Sequence, residues 1–313
     1  MKLARKKMPT FDLISFLSSV LPREFRSRNF NTSSFQTSLA RFNHKRLAPA
    51  LPNAKWQSEL REEKKFRILE GNYIEELRRH IFPLLPSLST DGSEFVTWFE
   101  SLNHIGPGQH HPFFTWLANE SSLEEMKWFL AQEAAGEAGF DDLLAYTQVR
   151  LPPKAKVEMA RNYWDEMGRG KASATHSNLL DQVVQNLQLS PSINETVYES
   201  LALSNVMIAL AVNRRYLYQS IGALGVIELT APSRVAKIAS GMERLGIGKE
   251  TRAYYDIHAK LDLAHSRAWI EEVITPLVID FPTCAPFIAE GALIRLTCGK
   301  NSFDRYQREL HEQ

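Results

Sequence analysis

The stretch YYDIHAKLDLAHSRAW, residues 254–269, carries His258, Asp262 and His265 in a His-x3-Asp-x2-His spacing. Each helical residue advances about 100°, so with His258 at zero Asp262 lies near ~40° and His265 near about −20°. All three side chains point within a sector of roughly 60°. A lone imidazole on such a face is ordinarily a core histidine with one hydrogen-bond partner, and Asp262 would serve as that partner. Two imidazoles and a carboxylate together ask for more. Buried polar groups without partners are costly, and a cation satisfies all three at once.

A metal pair needs further ligands from other helices. NYWDEMGRGKASATHSNLL (162–180) offers Glu166 and His176. On one continuous helix these two would lie roughly 80° apart and ~15 Å apart along the axis, too far for one site. Gly168 and Gly170 between them allow a break that brings the second segment back. SIGALGVIELTAP (220–232) offers Glu228 among Leu224, Val226, Ile227 and Leu229. A charge there sits either at a helix end facing water, as nearby Pro232 suggests, or buried with a partner. In QEAAGEAGFDD, Glu133 and Glu137 read as one turn apart on one face, with Asp141 continuing the row. That row is either a solvated acidic stripe or the source of a further carboxylate. His110 and His111, at a helix start, read as surface groups rather than as supports behind the site, and Tyr163, Trp164, Tyr254 and Tyr255 read as packing around the proposed ligands rather than as groups that keep the site dry or relay electrons.

The elements that must position these groups read as helices almost throughout. Residues 58–85 have apolar positions three and four apart. Residues 93–106 end on Gly106. Residues 122–149 begin with a capping box, Ser122 and Glu125, and read as one long helix. Pro152 and Pro153 open the next helix, to about Met167, and another begins near Ala172. Residues 193–229 form one long or two abutting helices closed before Pro232, after which PSRVAKIASGMERLG is a short helix of its own. The last two span 249–275 and roughly 283–311. GALG (222–225) lacks the full phosphate-loop pattern and reads as close helix packing. No alternating strand and no internal repeat occur. The fold class is all-α, a bundle of about seven core helices.

Bulk properties exclude several classes. The chain has 313 residues, 44% hydrophobic and 23% charged, with net charge +1, so nothing favours nucleic acid or a membrane surface as partner. No apolar run approaches the ~20 residues of a membrane helix. Cys284 and Cys298 have no metal-finger or redox spacing, which fits a reducing, cytoplasmic setting. Residues 1–50 are rich in Arg, Lys, Ser and Asn, with Asp12 and Glu24 as their only acids. They read as a targeting peptide or an irregular extension. The expected organisation is a basic extension over 1–55 and one helical domain over 56–313.

Across about residues 95–280 the chain resembles the heme-oxygenase-like diiron oxidases, also called iron-containing redox enzymes. In that family one core helix carries a Glu and a following His, another a Glu, and a third His-x3-Asp-x2-His. Glu166, His176, Glu228, His258, Asp262 and His265 match in that order. HPFFTWLANESSLEEMKWFLAQE is similar to the early helices of the wider fold. Many members have Glu-x6-His where this chain has Glu-x9-His, and a nitrogen-oxygenating branch shares the longer spacing. That branch also recruits a carboxylate from an early helix, a role open to Glu133 or Glu137 here.

The resemblance implies two Fe(II) ions, with manganese an alternative, in keeping with a thiolate-free nitrogen and oxygen donor set. It implies O2 activation and oxidation of a small organic substrate, by N-oxygenation or oxidative C–C cleavage, with an electron donor as partner and homodimer formation left open. Two other readings stay open. One is a metal-free enzyme of the same fold, thiaminase-like or acting in cofactor synthesis, which would not need six metal-type ligands. The other is a ligand-binding or regulatory protein on the same scaffold, for which the spare carboxylates have no use.

Overall fold

The computed structural model describes residues 29–86 and 92–311. In chain order its α-helices are α1 (Ser33–Leu47), α2 (Trp56–Ile81), α3 (Gly92–Ile105), α4 (Pro112–Asn119), α5 (Leu123–Gly136), α6 (Phe140–Thr147) and α7 (Pro153–Glu166). They continue with α8 (His176–Asn186), α9 (Tyr198–Val212), α10 (Leu217–Arg244), α11 (Lys249–Ala268), α12 (Thr275–Asp280) and α13 (Ala285–His311). Among the described residues there is no strand. The described chain is all-α, as the heme-oxygenase-like resemblance implies. No single helix among these residues is long and apolar enough to cross a membrane.

Local sequence explains the boundaries. The capping box at α5 closes in both directions, with Glu125 N donating to Ser122 Oγ (3.3 Å) and Ser122 N to Glu125 Oε2 (2.7 Å). The single helix expected over 122–149 is instead broken, because the chain leaves α5 at Glu137 and passes Gly139 at φ 75° before α6 starts. Glu133 and Glu137 therefore do not share a helix face with Asp141. Pro153 opens α7.

Pro232 does not close a helix. α10 runs through it, joining the two helices expected around it. Proline removes one backbone donor, so the Glu228 carbonyl loses its ordinary partner four residues on. Packing holds the helix regardless: Pro232 is buried, and α10 lies against α11 and α13. A Cβ on Gly222 would stand 1.9 Å from the Ile288 carbonyl oxygen, and one on Gly291 would stand 1.8 Å from that of Gln219. The α10–α13 backbones thus touch through glycine, as the close-packing reading of GALG expects. Gly225 in turn makes room for the Trp269 indole.

Residues 1–28, most of the basic extension, lie outside the described residues. The remainder of the extension is not irregular. α1 buries Leu39 and Phe42 against the core, and Asn43 donates to Asn205 of α9 (2.8 Å). Exposed residues 48–55 then lead into α2. After α11 the backbone widens into a π-helical turn, Trp269–Ile274, packed on α7.

Candidate metal centre

Four helices converge on one buried polar cluster. The last turns of α7 bring Asn162, Asp165 and Glu166. Gly168, Arg169 and Gly170 all take positive φ and turn the chain back. A Cβ on Gly168 would lie 2.6 Å from the Ala174 carbonyl group, so glycine is needed there for space as well as conformation. Thr175 then caps α8, whose first residue is His176. α10 supplies Glu228, buried in mid-helix rather than at an exposed end, and α11 supplies His258, Asp262 and His265.

The six side chains form two groups of three. In the first, His176 Nδ1 lies 2.8 Å from Glu166 Oε2 and 3.1 Å from His258 Nε2, and His258 Nε2 lies 3.4 Å from the same carboxylate oxygen. In the second, Glu228, Asp262 and His265 offer ligand atoms within 4.8 Å of one another. Glu166 joins the groups, since its Oε1 is 3.8 Å from His265 Nδ1.

Neighbouring atoms fix the histidine tautomers. His258 Nδ1 is 2.6 Å from the Tyr254 carbonyl oxygen, which only accepts, so Nδ1 carries the proton. The lone pair of the neutral ring is then on Nε2, facing His176 and Glu166. His265 Nε2 faces Asp165 Oδ2 at 3.2 Å. Its Nδ1 is buried without a hydrogen-bond partner, with carboxylate oxygens of Glu228 and Glu166 at 3.6 and 3.8 Å. A lone pair facing carboxylates is repulsive unless a proton or a cation lies between them.

The acid–base behaviour carries the same sign. Burial alone would raise the Glu166 carboxyl, but His176 and His258 outweigh it and hold the group well below the usual carboxylate range. Burial disfavours charge on His176 and His265, yet Glu166 beside the first and Glu228 beside the second push both up to about 9. Burial and the Glu228 charge push Asp262 up to about 8. A site that draws protons this strongly suits a divalent cation, which displaces them. The donors are three imidazoles and three carboxylates, a set that fits non-haem iron or manganese. Donor separations of 2.8–3.4 Å in the first group match neighbouring ligands of one small ion, since bonds of about 2.1 Å span edges of roughly 3 Å.

Glu133 and Glu137 lie outside both groups. Glu133 accepts a hydrogen bond from Tyr306 (2.9 Å). The Glu137 carboxylate accepts from its own chain at Gly139 N (3.0 Å) and Phe140 N (3.2 Å), and stands 3.9 Å from His176 Nε2. Both border a cavity of about 140 Å3 onto which Glu166, His176, Glu228, His258 and Asp262 open. Leu203, Met207, Ile227 and Val235 form part of its apolar wall.

Sequence reasoning missed Asp165 and Asn162. Asn162 donates to Glu228 Oε1 (2.6 Å). Its signal was present, because it lies one turn before Glu166 on the same helix face. Tyr254, read as packing, also stands 3.1 Å from His176 Nε2 through its hydroxyl. His111, read as a surface group, instead pairs with Asp304 (3.1 Å) and accepts from Phe113 N at the start of α4.

A family model described as iron-containing redox enzyme matches residues 127–300. Two crystal structures of a CADD-like protein of unknown function from Nostoc punctiforme, at 2.00 and 1.35 Å resolution, share the fold with a TM-score of 0.53. That protein is 16% identical; the matches cover 70% and 71% of this chain and 97% and 96% of the other. No curated protein matches the chain.

Proposed function

The chain belongs to the iron-containing redox enzyme family, and from that premise we propose that it is a non-haem diiron oxidase that activates O2. The substrate is a small organic molecule held in the cavity beside the two triads, and an external donor supplies electrons. One observation carries the reading: two buried groups, each of carboxylate and imidazole donors, lie side by side, with Glu166 of the first 3.8 Å from His265 Nδ1 of the second, an atom that lacks a hydrogen-bond partner.

Glu166, His176 and His258 would hold one iron, and Glu228, Asp262 and His265 the other, with Glu166 placed to serve both. Bound iron would supply the electrons and open coordination positions that dioxygen reduction requires. The chain's own residues do the rest. Asp165 and the Tyr254 carbonyl hold the two imidazoles in the tautomers that leave Nδ1 of His265 and Nε2 of His258 bare. Asn162 fixes the rotamer of Glu228. The apolar wall excludes stray water. The reaction is N-oxygenation of an amine or oxidative C–C cleavage, and the longer Glu–His spacing favours the first.

The test is metal content after anaerobic loading with ferrous iron, then oxygen uptake and the visible spectrum on mixing with O2. About two irons per chain, with rapid oxygen uptake, support the reading. A chain that takes up no iron under these conditions overturns it.

A further inference from the structure

We propose that Arg295 binds the carboxylate of the substrate, so that the substrate is a small organic acid with its apolar body against the cavity wall. This rests on the reading of the cavity as the substrate chamber of a metal centre.

Arg295 belongs to α13 and lines the same cavity as Glu166, His176, His258 and Asp262. It interrupts an apolar run, Ala292, Leu293, Ile294 before it and Leu296 after it, all buried. Its Nε is buried and has no hydrogen-bond partner. Guanidinium stays charged in proteins, so an anion is its natural complement. Glu133 is the carboxylate that bears on it most, yet the two form no ion pair among the described residues, and Glu133 is engaged by Tyr306. A second guanidinium, Arg234, also bears on Glu133. It donates to the Thr230 carbonyl (3.0 Å) and lies over the Phe303 ring. Glu137 also borders the cavity and bears on Arg295, yet among the described residues neither carboxylate forms an ion pair with it. An incoming carboxylate can take two parallel N–H···O bonds from this guanidinium.

Space is provided as well. A Cβ on Gly299, one turn further along α13, would stand 2.6 Å from Arg295 Nη1. Glycine there leaves the guanidinium its position. The cavity, about 140 Å3, resembles the ~150 Å3 that accommodates benzene in an engineered protein core. Ligands of that size with one carboxylate fit both the volume and the charge.

The experiment uses benzoate and its neutral isostere benzamide, titrated calorimetrically into the metal-free protein and, anaerobically, into the ferrous-loaded protein. Iron per chain and melting temperature are measured in parallel. The expected result is benzoate binding at least about ten-fold tighter than benzamide in both forms, the usual worth of a charge-assisted pair. Arg295→Gln should abolish that preference with iron content unchanged, and Gly299→Ala should reduce it with the arginine still present. Equal binding of the two probes, or a preference that survives Arg295→Gln, overturns the proposal. So does benzoate binding confined to the loaded protein, which assigns the carboxylate to the metal. Should Arg295→Gln fail to fold, the wild-type preference and Gly299→Ala decide. A wild-type preference without iron uptake would overturn the diiron reading and leave Arg295 as the anion site.

Discussion

Glu166 Oε1 lies 3.8 Å from His265 Nδ1, while the other oxygen of the same carboxylate lies 2.8 Å from His176 Nδ1. One side chain at the end of α7 thus faces both triads, and the triads need not be equal in what each residue contributes. Asp262 is a donor of the second group, whereas Glu166 of the first group also approaches His265 of the second. Asp262→Ala should therefore lower iron from about two toward one per chain, whereas Glu166→Ala should leave almost none. Elemental analysis after anaerobic loading checks both, with circular dichroism to show that the helices persist. Unchanged iron in Asp262→Ala would remove that residue from the site.

Asp165 touches no other member of the cluster in the way it touches His265, at 3.2 Å through Nε2. Its carboxyl sits below its ordinary range: burial works against this, but Arg169 and His265 overcome it. A carboxylate that fixes a ligand's tautomer is commonly worth 10–100-fold in metal affinity. Asp165→Asn should weaken iron binding by about that factor and leave the melting temperature of the metal-free protein nearly unchanged. Equal iron affinity in variant and wild type would show that His265 needs no such orientation.

The two parts of this site were unequally legible in the sequence. The triplet on α11 follows from helical geometry alone, because its spacing is local. Glu166 and His176 also came within reach, since Gly168 and Gly170 announce the break that brings them together. Glu228 could not be settled that way. Pro232 suggested a helix end, and only burial of α10 between α11 and α13 keeps the helix going, which is a property of the assembled bundle. The break at Glu137–Gly139 was missed for the converse reason. A strong run of helix formers and a capping box outweighed the local signs of a stop, Gly136 and Gly139. Gly136 is also a close contact, since a Cβ there would stand 2.2 Å from Ser200 Oγ.

Proton binding by the cluster predicts a pH dependence of the metal-free protein. His176 and His265 are raised from 6.5 to about 9 and Asp262 from 3.8 to about 8. Each group then binds protons more tightly folded than unfolded, so the stability it contributes is full below its unfolded value and disappears as pH rises through its folded value. Glu166 has the opposite sign but acts only in the acid range. Thermal midpoints of the metal-free protein should fall as pH rises from about 4 to about 9, Asp262 acting from 3.8 to about 8 and the two histidines from 6.5 to about 9, while those of the loaded protein hold, because the cation takes over from the protons. Parallel curves for the two forms would contradict this assignment of the protons.

The glycine contact between α10 and α13 gives the last prediction, and it concerns the frame that carries Glu228. The Cβ of an alanine at 291 would meet the Gln219 carbonyl oxygen at 1.8 Å, and backbone atoms cannot rotate away. The two helices must separate, and overpacking of this kind costs ~1–3 kcal/mol or more. Alanine gains up to about 1 kcal/mol of helix propensity over glycine, so steric strain prevails. Gly291→Ala should lose about 2 kcal/mol of stability in urea unfolding, and should lower iron content because α10 shifts with Glu228 on it. Gly71 is the contrast. It too lies within a helix, α2, but a Cβ there would find only the Tyr216 hydroxyl, at 4.0 Å. Gly71→Ala should stabilise the protein by about 0.4–1 kcal/mol through the unfolded state, with iron unaffected. If Gly291→Ala stabilised the protein as Gly71→Ala should, the α10–α13 contact would not be a close approach of two backbones.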